Sequence, residues 1–121
     1  MKILTPKEEE IMNFLWNNGP MFVRQLIELY PEPHPHFNTV STTIRILEEK
    51  GYVSHRQLGN SYQYFAAVSA EEFKHKTLKQ VISKYFNNSY LGAVSSLVEE
   101  EEISLDELKA LIQRVEEESK A

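Results

Sequence analysis

The segment from Phe37 to Gln57 constrains the fold more than any other stretch of this chain. Phe37, Val40, Ile44 and Leu47 recur at helical spacing and form one apolar stripe. The opposite face carries Asn38, Ser41, Thr42 and Arg45, three short hydrogen-bonders beside one long, fork-shaped donor. Gly51 then ends the helix, because glycine accepts the left-handed conformation that caps a C-terminus. A strand is predicted at once, from Tyr52 to Gln57. A helix with a core stripe behind and short polar residues in front can lie in a DNA major groove, where small side chains let the backbone approach base edges. An ordinary amphipathic helix with a solvated face has the same pattern, so the neighbouring segments decide.

Upstream, Thr5-Pro6-Lys7-Glu8 is a capping box with proline at the first helical position. Ile11, Met12, Phe14, Leu15 and Trp16 supply that helix's buried face, and Asn18-Gly19-Pro20 stops it. Met21-Phe22 is a candidate for a very short strand. Val23, Leu26, Ile27 and Tyr30 make a second, short helix, and a proline-punctuated loop from Pro31 to His36 leads into the third. Downstream, Tyr52-Val53-Ser54-His55-Arg56 and Ser61-Tyr62-Gln63-Tyr64-Phe65 read as two strands joined at Gly59-Asn60, a pair suited to a tight hairpin. Tyr62 and Tyr64 share a face and are expected to pack inward. Three helices followed by a hairpin is the order of a winged helix-turn-helix, expected over residues 1–68.

A second, helical region is expected over residues 69–121. Ser69-Ala70-Glu71-Glu72 opens a helix carrying Phe73, Leu78, Val81, Ile82 and Tyr85, and Asn87-Asn88-Ser89 breaks it. The next helix holds Tyr90, Leu91, Val94 and Leu97. Ser104-Leu105-Asp106-Glu107 opens the last, whose apolar residues are Leu105, Leu108, Leu111, Ile112 and Val115. Three short helices with wide apolar faces have too little mass to bury those faces alone. Pairing with the same helices of a second chain solves this, and twofold dimers are the commonest solution. The simpler alternative is packing within one monomer.

Composition narrows the function classes. The chain has 121 residues, and no apolar run approaches the roughly 18 residues of a membrane span. Its start lacks the apolar core of a signal peptide, so a cytoplasmic location is expected. Cysteine is absent, which excludes disulfides, thiolate metal sites and cysteine catalysis. No nucleophile, base and orienter stand out as a set, and no phosphate-cradling glycine motif occurs, so no enzymatic activity and no cofactor are expected. His34 and His36 with His75 could hold a metal only weakly, and a surface loop explains them better. Net charge is −5, which counts against a DNA-binding surface. The acidity is uneven, though: residues 1–68 hold six Lys/Arg against seven acids, and residues 69–121 hold seven against eleven.

Several segments together resemble the penicillinase-repressor family (BlaI/MecI/CopY type) of winged-helix regulators. They are Met12 to Trp16, Thr39-Val40-Ser41-Thr42, Leu47 to Val53, Tyr62-Gln63-Tyr64, and Leu97-Val98-Glu99 through Ser104 to Leu108. The likeness runs from Thr5 to about Glu117. It implies an N-terminal winged helix, a C-terminal dimerisation lobe, and repression by binding palindromic operators, with antibiotic-resistance genes among the targets. It also implies release when a membrane sensor protease system cuts the C-terminal lobe, at an Asn-Phe pair whose counterpart here is Ser96-Leu97. The family usually carries arginine where this chain has Ile46, with Arg45 one residue earlier. One residue turns a helical side chain by about 100°. The Cys-x-Cys pairs of the copper-responsive branch are absent.

On this reading Thr39, Ser41, Thr42 and Arg45 face the groove, with Asn38 near a phosphate and Arg45 best suited to guanine. His55, Arg56, Asn60 and Ser61 on the wing touch backbone or minor groove. The competing explanation for Arg45 is a salt bridge to Glu48 or Glu49 at helical spacing. The competitor for the whole chain is a dimerising winged-helix adaptor that binds protein and no DNA.

Overall fold

A computed structural model describes residues 2–120, and all residue-level statements concern these. The order is α1 (Pro6–Asn18), α2 (Val23–Leu29), α3 (Phe37–Glu49), β1 (Val53–Leu58), β2 (Ser61–Ala66), α4 (Ala70–Tyr85), α5 (Tyr90–Glu99) and α6 (Leu105–Ser119). The protein is mainly helical, with one antiparallel hairpin, and α1 to β2 form a winged helix-turn-helix.

Local chemistry sets the helix ends. Thr5 Oγ1 accepts from the Glu8 backbone N–H at 3.2 Å, and Glu8 Oε1 accepts from the Thr5 N–H at 2.8 Å. That closes the capping box and satisfies two otherwise orphaned donors. The same carboxylate accepts from Lys50 Nζ at 2.7 Å, tying the start of α1 to the end of α3. Burial pushes the Glu8 carboxyl up, but the bonds from Lys50 and Thr5 outweigh it and hold the group below its ordinary value. At the end of α3, Gly51 sits at φ 85°. Its N–H donates to the Glu48 carbonyl and the Tyr52 N–H to the Leu47 carbonyl, both at 3.0 Å, a Schellman cap that needs the left-handed residue.

The hairpin register runs from Val53 opposite Ala66 to Leu58 opposite Ser61, which leaves Gly59-Asn60 as a two-residue connection. Gly59 takes φ 62° there. The short strand expected at Met21 is a single bridge, whose backbone exchanges two 2.8 Å hydrogen bonds with Tyr64. Around it the core of the N-terminal lobe closes: Ile11, Met12 and Leu15 of α1, Leu26 of α2, Val40, Ile44 and Leu47 of α3, and Tyr52, Val53 and Tyr64 of the hairpin region.

Three aromatic residues depart from the sequence reading. Phe37, expected at the head of the α3 stripe, is 43% exposed because the first helical position lies a turn beyond the core. Tyr62, expected to pack inward with Tyr64, is 50% exposed; it lies two residues nearer the hairpin tip, past the core's edge. Phe73, expected on the dimerisation face, instead packs against Trp16 (centroids 5.3 Å apart) and Tyr52 (6.0 Å). The first turn of α4 therefore belongs to the N-terminal lobe. The chain's contacts divide between Lys76 and Thr77, inside α4, and the cap at Ser69 marks the start of that helix.

The C-terminal unit is helical but has almost no interior. Asn87 (φ 50°) and Asn88 (φ 64°) turn the chain out of α4, and Ser89 Oγ caps α5 by accepting from the Gly92 N–H at 3.0 Å. Ser104 and Glu107 close a second reciprocal box at the start of α6. Among the described residues beyond Lys76, Ile82 alone is buried. Leu78, Val81, Tyr85, Tyr90, Leu91, Val94 and Leu97 are all exposed. Leu105, Leu111, Ile112 and Val115 are exposed as well, and Leu108 is half-buried. No helix among the described residues is long and apolar enough to cross a membrane.

Candidate nucleic-acid interface

The outward face of α3 follows from its inward one. With Val40, Ile44 and Leu47 buried, helical spacing turns Asn38, Thr42 and Arg45 to solvent, and all three are exposed. The N-terminus of α3 is capped by His36, whose Nδ1 accepts from the Asn38 N–H at 3.2 Å. That gives one loop histidine a local role. Arg45 lies back along the helix, its Nη2 donating to Ser41 Oγ at 3.1 Å and its Nε to the Ser41 carbonyl at 3.4 Å. The anticipated alternative, an Arg45 ion pair with Glu48 or Glu49, does not form among the described residues. Exposed hydrogen bonds of this kind exchange readily with other acceptors, and the guanidinium keeps further donors free.

The other predicted α3 residues spread around the helix. Ser41 is half-buried and faces the hairpin, whereas Thr39 turns the other way, toward Lys7, Glu10 and Tyr30. Thr43, one turn on, donates from Oγ1 to the Thr39 carbonyl at 2.9 Å. Thr39 therefore shares less of the Arg45 face than its place in the sequence motif suggested.

The wing residues also divide. His55 and Arg56 are neighbours in a strand, so they point to opposite faces of the hairpin. His55 turns toward α3: its Nδ1 meets Glu48 Oε2 at 2.5 Å, and its ring stacks on Tyr62 (4.5 Å) and near Tyr64 (5.6 Å). Arg56 lies on the far face with its Nε donating to Gln63 Oε1 at 2.7 Å. Asn60 and Ser61 are exposed at the tip and edge of the hairpin and line a cavity of about 240 Å³ between the hairpin, α2 and α3. Ser41, Asn60 and Ser61 are thus brought together, with Arg45 one turn along.

The sequence reading missed three residues on this surface: Arg24, Phe37 and Tyr62. The signal for Arg24 was present. Val23, Leu26 and Ile27 define the inward side of α2, so an arginine beside them must face solvent next to the following helix.

A helix with an exposed polar face, preceded by a short helix and followed by a β-hairpin, is the arrangement of a winged DNA-binding domain. Comparison with known proteins decides among them, because the penicillinase repressor family model matches residues 4–117, nearly the whole chain. The chain belongs to the penicillinase repressor family. Its relatives include the methicillin resistance regulatory protein MecI of Staphylococcus aureus strain N315, 28% identical over 109 residues and covering 89% of each chain. The MecI proteins of Staphylococcus epidermidis and Mammaliicoccus sciuri match to the same extent. The family is one of transcriptional repressors, and this member is a regulator rather than an enzyme.

Proposed function

We propose that the protein represses transcription as a homodimer on a palindromic DNA operator. The observation that carries this is the α3 surface, where Asn38, Thr42 and Arg45 stand free of the core beside an exposed hairpin. Short side chains let α3 enter the major groove, and Arg45 has the bidentate geometry for guanine O6 and N7. Two copies set their α3 helices one DNA turn apart, roughly 34–36 Å. The exposed apolar side chains of α4, α5 and α6 support a second copy as their cover, since large bare patches of this kind mark interaction sites. Repression is then steric, and the repressor works in the cytoplasm, where its DNA is. The names of the relatives support resistance genes as targets.

Release requires loss of the second half-site, because linkage of two DNA-binding domains multiplies affinity. A cut in the C-terminal lobe by a membrane sensor protease system achieves that. Ser96-Leu97 lies inside α5, a ten-residue helix without a buried side chain, so the helix opens at low cost to an extended, cleavable form.

Footprinting on fragments of the source genome, titrated with salt, tests the proposal. A protected palindrome is expected, with a steep salt dependence. Arg45→Ala should cost about 1–3 kcal/mol and relax the preference at one base of each half-site. The net charge of −5 favours a protein-binding adaptor instead. Absence of protection at low salt would discard the DNA reading and leave the adaptor as the better account.

A further inference from the structure

Phe37 is the observation that the core does not account for: a large apolar ring at the start of α3, 43% exposed. The Arg24 guanidinium of α2 lies over that ring, 5.7 Å from its centroid, within the range of a cation–π contact. The ordinary fate of Arg24 is an ion pair with Glu28, one helical turn on. It does not form; among the described residues no carboxylate lies within ion-pair distance of Arg24. Arg24 of α2, Phe37 and Ser41 of α3, and Asn60, Ser61 and Tyr62 of the hairpin line the roughly 240 Å³ cavity together. Arg24 is the sole cation on that lining.

Arg45 lies one turn along α3 from Ser41, and three other cations of the N-terminal lobe are engaged elsewhere. Lys50 pairs with the buried Glu8, Arg56 with Gln63 on the far face of the hairpin, and Lys7 flanks Tyr30 on the other side of α3. A duplex whose major groove receives α3 brings its backbone against the flanks of that helix, and the electrostatic share of binding comes from cations that meet those phosphates.

We propose that this cavity is a DNA-backbone subsite, in which Arg24 contacts a phosphate and Phe37 is the positioning residue that holds it. The inference rests on the DNA-binding reading above. Stacking occupies one face of the guanidinium and leaves its in-plane N–H groups directed outward, the geometry that meets two phosphate oxygens side by side. Ser41, Asn60 and Ser61 add neutral hydrogen bonds along the same strand. Arg24 thereby supplies affinity and register without sequence information, complementing Arg45.

The test is binding of the full-length protein to random-sequence duplex DNA across a salt series, where phosphate contacts alone are read. Arg24→Gln should lower the slope of log affinity against log salt by about 0.9 per bound protomer, which is about eightfold in affinity near 0.1 M salt. Arg24→Lys should keep most of the slope. Phe37→Leu should weaken binding with Arg24 still present, and Phe37→Trp should restore it, an outcome that a merely structural role for the ring does not give. The preference for operator over random DNA should be unchanged in every variant. Thermal melts confirm that each variant is folded. If Arg24→Gln binds with wild-type slope while Arg45→Ala loses its operator preference, the subsite is wrong and the repressor reading stands. If the wild-type protein binds no duplex even at low salt, both fail.

Discussion

The N-terminal and C-terminal lobes start their helices with the same chemistry and end with opposite interiors. Thr5-Glu8 and Ser104-Glu107 are equivalent reciprocal boxes. Yet α1 carries Ile11, Met12 and Leu15 into a core of thirteen buried residues, whereas α6 buries none of its side chains. Capping acts within one turn and needs no neighbour; burial needs a surface on the other side. Helix formation in the C-terminal lobe is thus locally encoded, and the dimer proposed above would supply the burial that its own chain does not.

Breaking that dependence has the largest expected effect. Replacing Leu111 and Val115, exposed neighbours one turn apart on α6, by aspartate puts charge on the bare face. Sedimentation should then report a monomer, and operator affinity should fall by about 10²–10⁴-fold through loss of the second half-site. A variant that keeps dimer mass would place the interface elsewhere and sever the contrast from function.

The next test compares one substitution in both lobes. Leu47→Ala removes a fully buried side chain from α3 and should destabilise the N-terminal lobe by about 2–5 kcal/mol. Leu111→Ala, at concentrations low enough for monomers, should change stability by less than about 0.5 kcal/mol. At high concentration the same variant should lose stability, since the proposed dimer would then be part of the folded state. Denaturant melts at two protein concentrations read both effects.

Glu8 sharpens the contrast electrostatically, because it is a carboxylate enclosed by the N-terminal lobe, 3% exposed. Glu8→Gln keeps an oxygen acceptor but removes the charge opposite Lys50 and should cost about 2–3 kcal/mol, less than in a fully enclosed pair because Lys50 is partly solvated. The folded lobe holds this carboxyl below its ordinary 4.5, so its contribution is fully present above that value and is lost as pH falls through the folded-state pKa. The stability gap between wild type and Glu8→Gln should therefore close with acidification. A gap that stays constant would assign the loss to packing.

What the sequence disclosed follows the same division between local and distant causes. The helix starts, the glycine cap at Gly51 and the Gly59-Asn60 connection were legible because each is decided by residues within one turn. Met21 as a strand was legible only as a possibility, since its partner Tyr64 lies more than forty residues away. Phe37, Tyr62 and Phe73 were misplaced because periodicity tells which face a side chain takes but not where the core ends along that face. Of the interface residues, Asn38, Thr42 and Arg45 are consequences of the α3 stripe. The opposite facing of His55 and Arg56 was available from strand alternation. Arg24 was not recognised because its role depends on Phe37 remaining exposed, which only the packed lobe reveals.

The smallest predicted effect asks whether the lobes differ even at the level of a single cap. Thr5→Ala and Ser104→Ala each remove a side-chain acceptor and should each cost about 1 kcal/mol of helix stability, because the two hydrogen-bond patterns are equivalent. Their readouts should nevertheless diverge. Loss at Thr5 should appear directly in the unfolding of the N-terminal lobe, independent of protein concentration, since α1 is anchored by its own core. Loss at Ser104 should appear as weaker dimerisation by about thirtyfold, from about 1 kcal/mol in each of two protomers, because in the proposed dimer α6 gains its burial only in the pair. If Ser104→Ala instead lowers stability at every concentration and leaves the dimer untouched, α6 is self-supporting and its exposed leucines need another explanation.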